Sequence, residues 1–143
     1  MKPEYEAFRA KLLEEMLSRF TLQPNIPYLL KGRCGPWSKR FTEQFPQLRA
    51  ERGFYNGWEH WWCVDTDGSI VDPTVQQFGV ESGDPSHYKI LDLEKDEVYL
   101  GRCANCGESI YGPAKRGQQG ICSDACGDSF STYLNSEIAA FRR

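Results

Sequence analysis

Residues 59–74 read Glu59-His60-Trp61-Trp62-Cys63-Val64-Asp65-Thr66-Asp67-Gly68-Ser69-Ile70-Val71-Asp72-Pro73-Thr74. The run from His60 to Val64 is dense in aromatic and β-branched side chains, the composition of a strand. Asp65–Gly68 supplies turn chemistry, Ser69–Val71 resumes the apolar pattern, and Asp72-Pro73 ends it. An antiparallel hairpin about Asp67-Gly68 is expected to bring His60 and Asp72 toward one end, with the register open by a few residues. Strand alternation sends Cys63, three after His60, to the opposite face and into the core. Trp58, Trp61 and Trp62 read as core or cleft wall.

Residues 3–20 place Tyr5, Phe8, Leu12, Leu13, Met16, Leu17 and Phe20 at three- and four-residue steps, an amphipathic helix stopped by Pro24 and Pro27. The turn Lys31-Gly32-Arg33-Cys34-Gly35-Pro36-Trp37 leads into a second helix, with Trp37, Phe41 and Phe45 four apart and Leu48 following. Gly53 and Asn56-Gly57 break that pattern. Downstream, Phe78–Ser86 is irregular. His87 falls in a loop with no matching partner, and Tyr88–Leu91 and Val98–Leu100 are candidate strands about an acidic turn at Glu94–Glu97. A closing helix is expected over about 124–141, with Cys126, Phe130, Tyr133, Leu134, Ile138 and Phe141 on one face. The pattern is α+β, with helices packed on a small antiparallel sheet over residues 1–100 and a distinct module over 101–143.

Cys34, His60 and Asp72 can supply what thiol chemistry needs. A cysteine at a helix start has its thiolate favoured by the helix dipole. An imidazole holds the proton and later delivers it, and a carboxylate on its other nitrogen fixes the tautomer. The Cys34 backbone N–H can serve a developing oxyanion, with a second donor sought upstream at Gln23, Asn25 or Tyr28.

Cys34 at a helix start, then His60 on a strand, then Asp72 at the end of the next resembles the transglutaminase-like, papain-like cysteine superfamily, in the form of its small bacterial and phage members. The resemblance spans Gly32–Phe78. It is carried by Gly32-x-Cys34, Phe45-Pro46-x-Leu48, His60-Trp61-Trp62, Asp67-Gly68, and Asp72-Pro73-Thr74 with Gln77-Phe78. The resemblance implies a minimal transglutaminase-like domain with Cys34 as nucleophile, His60 as general base and acid, and Asp72 as its orienter. It implies attack on an amide-type bond through an acyl-enzyme, as a peptidase, deamidase or transglutaminase does, with a protein or peptide substrate. Peptidase or protein-deamidase activity is favoured over cross-linking, because nothing marks an amine-acceptor site. The spacings of 26 and 12 residues are short and leave little room for cleft walls.

The remaining cysteine pattern is Cys103-x2-Cys106-x15-Cys122-x3-Cys126. Two close pairs at this separation match a tetrahedral zinc site, with Gly107 permitting the tight knuckle and Cys122-Ser123-Asp124-Ala125-Cys126 opening the last helix. A knuckle followed by a helix-borne pair resembles a treble-clef zinc finger, with Zn2+ in a structural role because four thiolates leave no open position. The competing assignments are two disulfides or reduced structural thiols, and an all-thiolate set does not by itself separate zinc from iron. Arg102, Lys115, Arg116, Arg142 and Arg143 are available to phosphates. Glu108, Asp124, Asp128 and Glu137 share the module, however, and stacking aromatics are few, so nucleic acid is not the expected partner.

The chain has 143 residues and a net charge of −3, which argues against bulk phosphate neutralisation as its main task while leaving room for a local basic patch, and its 40% hydrophobic and 26% charged residues are ordinary for a globular chain. Mean hydropathy is −0.59 and no run reaches membrane-spanning length. The start, Met1-Lys2-Pro3-Glu4-Tyr5-Glu6, lacks an apolar signal core, so a cytoplasmic location is expected. A cytoplasmic cysteine hydrolase or acyltransferase is the expected function. The alternative is a non-catalytic zinc-finger binding or adaptor protein on a degenerate triad, with nucleic acid among the partners it could contact.

Overall fold

The computed structural model describes residues 1–21 and 25–141, the last without its side chain. Gln23, Pro24, Arg142 and Arg143, and the Phe141 side chain, lie outside the described residues. The chain is α+β and divides into two units, Met1–Leu91 and Asp92–Arg143.

The first unit opens with α1 (Pro3–Leu17), α2 (Ile26–Leu30) and α3 (Cys34–Gln44). Pro3 is the first residue of α1 and Pro27 the second of α2, both in a first turn where a missing N–H costs nothing, and the Asn25 side chain caps α2 by accepting from the Tyr28 N–H at 3.1 Å. Pro27 therefore begins a short helix rather than only barring one. The α1 stripe buries Tyr5, Leu12 and Met16 against Leu30, Trp37, Phe41, Leu48, Cys63 and Val71. Edge-to-face contacts at 4.8 Å (Tyr5–Phe45) and 5.0 Å (Phe8–Phe41) close this core. Asp65, buried behind α1, accepts from Lys2 Nζ at 2.8 Å and Tyr5 Oη at 2.7 Å, and these bonds hold its carboxyl down at about 2.

Four strands, β1 (Arg49–Tyr55), β2 (Trp58–Val64), β3 (Ile70–Val71) and β4 (Tyr88–Ile90), form an antiparallel sheet in the order β3-β2-β1-β4. The strand β1 runs through Gly53 and ends just before Asn56-Gly57, residues whose pattern in sequence marks only breaks. Asn56 and Gly57 both take positive φ, 51° and 85°, which is the backbone of a two-residue hairpin turn joining β1 to β2. β4 pairs with β1, Tyr55 opposite Tyr88 and Gly53 opposite Ile90, rather than with the Val98–Leu100 segment.

Opposed residues share a face. Cys63 pairs with Val71, and both lie in the helix-side core. Continuing that register puts Asp72 on the face of Trp62 and His60, together with Tyr55 and Tyr88. Gly53 makes that second face possible. A Cβ there would strike the Lys89 carbonyl and come within 2.8 Å of the Trp62 ring.

In the second unit, β5 (Glu97–Arg102) and β6 (Ser109–Pro113) pair antiparallel, so Val98–Leu100 belongs to this unit and the division falls before the expected residue 101. The reason is local, since β5 is the arm that presents Cys103 and forms a two-stranded sheet with β6. A register shift between Tyr99 and Gly101 bends this arm, and Gly101, at φ 139°, leaves room for the Gln119 carbonyl. The helix α4 (Asp124–Phe141) follows, with Tyr133, Leu134 and Ile138 exposed. Among the described residues, no helix is long and apolar enough to cross a membrane.

Gly53→Ala is expected to cost about 1–3 kcal/mol of stability through overpacking. Chemical denaturation of wild type and variant checks this, and near-UV circular dichroism should report the displaced Trp62.

Candidate active site and metal centre

Cys34 is the first residue of α3, where backbone N–H groups have no helical partner. His60 lies mid-strand in β2, and Asp72 immediately follows β3. The fold brings all three together. His60 Nε2 donates to Asp72 Oδ2 at 2.7 Å, which leaves Nδ1 as the nitrogen facing the Cys34 thiol. His60 and Asp72 are 1% and 4% exposed, and Cys34 is half-buried, so the outer end of the row is the sulfur.

Three further groups complete the set. Tyr88 Oη donates to Asp72 Oδ2 at 2.7 Å, and the Thr74 N–H donates to Asp72 Oδ1 at 3.2 Å. Gln77 Nε2 donates to Thr74 Oγ1 at 2.9 Å and lies 3.5 Å from His60 Nδ1. The imidazole is walled by Phe78, edge-on at 4.9 Å, and by Trp62, stacked at 6.1 Å.

Tyr88 has no motif around it. Its place depends on β1, the strand the sequence reading did not register. Gln77 stood beside Asp72 in the sequence without a role. The expected upstream donors fare differently. Asn25 uses its oxygen to cap α2, Tyr28 is 74% exposed, and Gln23 is outside the described residues.

The electrostatics separate two thiols. Burial opposes ionisation of Cys34, but the His60 ring and the backbone N–H groups of Trp61 and Gly35 outweigh it and lower its pKa below the ordinary thiol value. Burial also disfavours a charged His60, but its bonds to Asp72 and then Cys34 raise its pKa to about 9. Cys63 has no such support. Burial pushes it up to about 12, and its S–H donates to the Ser38 carbonyl at 3.5 Å. Burial and the neighbouring Asp72 charge raise Tyr88, so it stays a donor. The arrangement eases loss of the Cys34 proton beside a readily protonated imidazole.

The second cluster is built from the β5–β6 knuckle. Cys103 N–H donates to the Glu108 carbonyl at 2.9 Å, and Gly107, at φ 76°, closes the turn on the Cys103 carbonyl at 3.0 Å. A returning segment pins Gln119 N–H to Leu100 and Ala104 N–H to Gly120, each at 2.8 Å, and so delivers Cys122. Ser123 caps α4 by accepting from the Cys126 N–H at 3.2 Å. Cys122 thus precedes the helix, and only Cys126 lies on its first turn.

The four sulfurs lie within 4.8 Å of one another, with Cys106 and Cys122 3.6 Å apart. That exceeds a disulfide bond, about 2.05 Å, and all six cysteines are free. Four thiolates around one ion at about 2.3 Å stand roughly 3.8 Å apart, so the set fits a tetrahedral metal. Backbone N–H groups of Cys106, Cys122 and Asn105 approach the Cys103 sulfur and offset part of its charge.

Comparison of the chain with protein-family models, with curated proteins and with solved structures finds no match.

Iodoacetamide alkylation of Cys34, followed by peptide mass mapping against pH, should show a midpoint below the ordinary thiol range. His60→Ala should move that midpoint upward, since the Trp61 and Gly35 N–H groups are then left to oppose burial without the imidazole. In wild type the ion pair should dissolve as pH rises through about 9, where His60 loses its proton. A Cys34 midpoint unmoved by His60→Ala would contradict the assigned coupling.

Proposed function

We propose that the protein is a cysteine hydrolase or acyltransferase acting on an amide-type bond, in a minimal transglutaminase-like domain, with a treble-clef zinc finger as its second unit. The observation that carries this reading is the imidazole of His60, bound through Nε2 to a buried carboxylate at 2.7 Å while its other nitrogen faces a half-buried thiol at a helix start. A histidine needed only for packing has no use for both partners.

The Cys34 sulfur attacks the carbonyl carbon and forms a C–S bond, and the C=O π pair moves to oxygen. Collapse expels the leaving amine, which takes the Nδ1 proton of His60. Water then gives a proton to His60 and its oxygen to the thioester carbon, releasing the acid and restoring the ion pair. Asp72 keeps the ring in the tautomer and orientation both steps need. The open side of the sulfur suits a protein or peptide chain as substrate. Six free cysteines suit a reducing compartment, and we place the protein in the cytoplasm.

The Cys103–Cys106–Cys122–Cys126 set has no place left for a substrate, so zinc there is structural. The purified chain should carry one equivalent of zinc by elemental analysis. Cys106→Ser should lower that content and the thermal stability of the second unit. Metal content that is iron, or none, would refute this assignment.

Peptide-library hydrolysis, with thioester trapping by intact mass, tests the activity. Asp72→Asn is expected to slow acyl-enzyme formation by about 10²–10⁴-fold while the fold, read by circular dichroism, persists. A Cys34 no more reactive than a free thiol would instead favour a binding protein on a degenerate triad.

A further inference from the structure

The second oxyanion donor is unassigned, and the geometry points to the carboxamide of Gln77. We propose that Gln77 Nε2–H stabilises the oxygen that becomes negative when Cys34 attacks a carbonyl. This role rests on the thiol chemistry argued above.

Gln77 sits in the short turn Val75–Phe78 just after Asp72, and its backbone N–H donates to the Thr74 carbonyl at 2.9 Å. One amide hydrogen is committed to Thr74 Oγ1 at 2.9 Å. Thr74 is fully buried and is itself tied to Asp72 Oδ1 through its N–H at 3.2 Å. The amide is therefore held by the same segment that fixes the imidazole. Its second hydrogen is on a nitrogen 3.5 Å from His60 Nδ1, the ring nitrogen that faces Cys34.

When His60 carries its proton, both ring nitrogens are donors and neither can accept. The second Gln77 N–H is then left with no acceptor on the ring, at the imidazole edge that faces the thiol. A held donor with an open bond next to a nucleophile serves an oxygen as it gains charge, at no cost of reorganisation. During attack the C–S bond forms, the carbonyl π pair moves to oxygen, and that oxygen accepts from Gln77 Nε2–H and from the Cys34 backbone N–H of the first α3 turn. On collapse the electron pair returns to re-form C=O, and the leaving group departs with the His60 Nδ1 proton. The ring, now neutral at Nδ1, can accept from Gln77 again. The carboxamide thus alternates between oxyanion and imidazole in step with the proton.

Two small probes separate this role from mere positioning. Iodoacetamide alkylation consumes the thiolate without an oxyanion. Acylation by p-nitrophenyl acetate passes through one. Both rates are measured on the full chain, with Cys34→Ser as the blank for the other thiols. Gln77→Ala and the near-isosteric Gln77→Met should each lower the Cys34 acylation rate by about 10²-fold, with alkylation within about twofold of wild type. Equal losses in both reactions would make Gln77 a holder of the ring and overturn the proposal, as would acylation at the wild-type rate. If wild-type Cys34 alkylates no faster than free cysteine, the thiol reading fails and Gln77 falls with it. If wild-type Cys34 is fast and the variants acylate as wild type does, Gln77 alone is refuted.

Discussion

The carboxylate of Asp72 accepts from His60, Tyr88 and the Thr74 N–H, three donors reaching one nearly buried group. A carboxylate withdrawn from water is tolerated only when its oxygens are filled. Here the filling groups come from β2, from β4 and from the chain just past β3. Asp72 therefore does two things at once. It joins the far edge of the sheet to its middle, and it sets the one polar line through a face otherwise made of Trp62, Tyr55 and Phe78. Removing any one donor leaves the carboxylate less fully bonded in apolar surroundings, at a cost of about 1–3 kcal/mol for a hydrogen-bond donor, and more if the imidazole is lost.

That dependence explains what could be read along the chain. His60 and Asp72 share a face because parity in a hairpin is arithmetic. With Cys63 opposite Val71, the residues one step outward and three steps outward necessarily face the same way. The helix-start position of Cys34 was legible from Gly32 and Pro36 for similarly local reasons. Tyr88 was not legible, because its position is fixed by pairing with Tyr55 across β1. The signals of β1 conflicted. Gly53 lowers strand propensity, yet here it is required by the close approach of Lys89 and Trp62. Asn56-Gly57 punctuates a helix pattern and turns a hairpin equally well, and only the strand on each side decides between them.

The second unit shows the same division. Close cysteine pairs announce themselves by spacing, since ligands 2.3 Å from one ion must come from tight turns. The parts that aim them, the bend at Gly101 and the strap through Gln119 and Gly120, carry no such mark. They consist of backbone bonds between segments about 16–19 residues apart. A glycine accommodating a carbonyl is silent in sequence until the carbonyl's owner is known.

One residue type meets three environments in this chain, and the environments decide its chemistry. Cys63 lies among hydrocarbon with only a carbonyl to donate to, so its proton is held and its sulfur packs as a small apolar group. Cys103, Cys106, Cys122 and Cys126 surround one point, so each sulfur needs a cation between them to be stable as a thiolate. Cys34 has one imidazole and the N–H groups of Gly35 and Trp61, enough to lower its pKa but not to saturate the sulfur's lone pairs. A half-buried sulfur with so few donors gains from any group that favours charge on the neighbouring imidazole. Asp72 supplies that help by stabilising the positive charge on the adjacent ring. The thiol reactivity proposed here is thus a property of the carboxylate two groups away as much as of the cysteine.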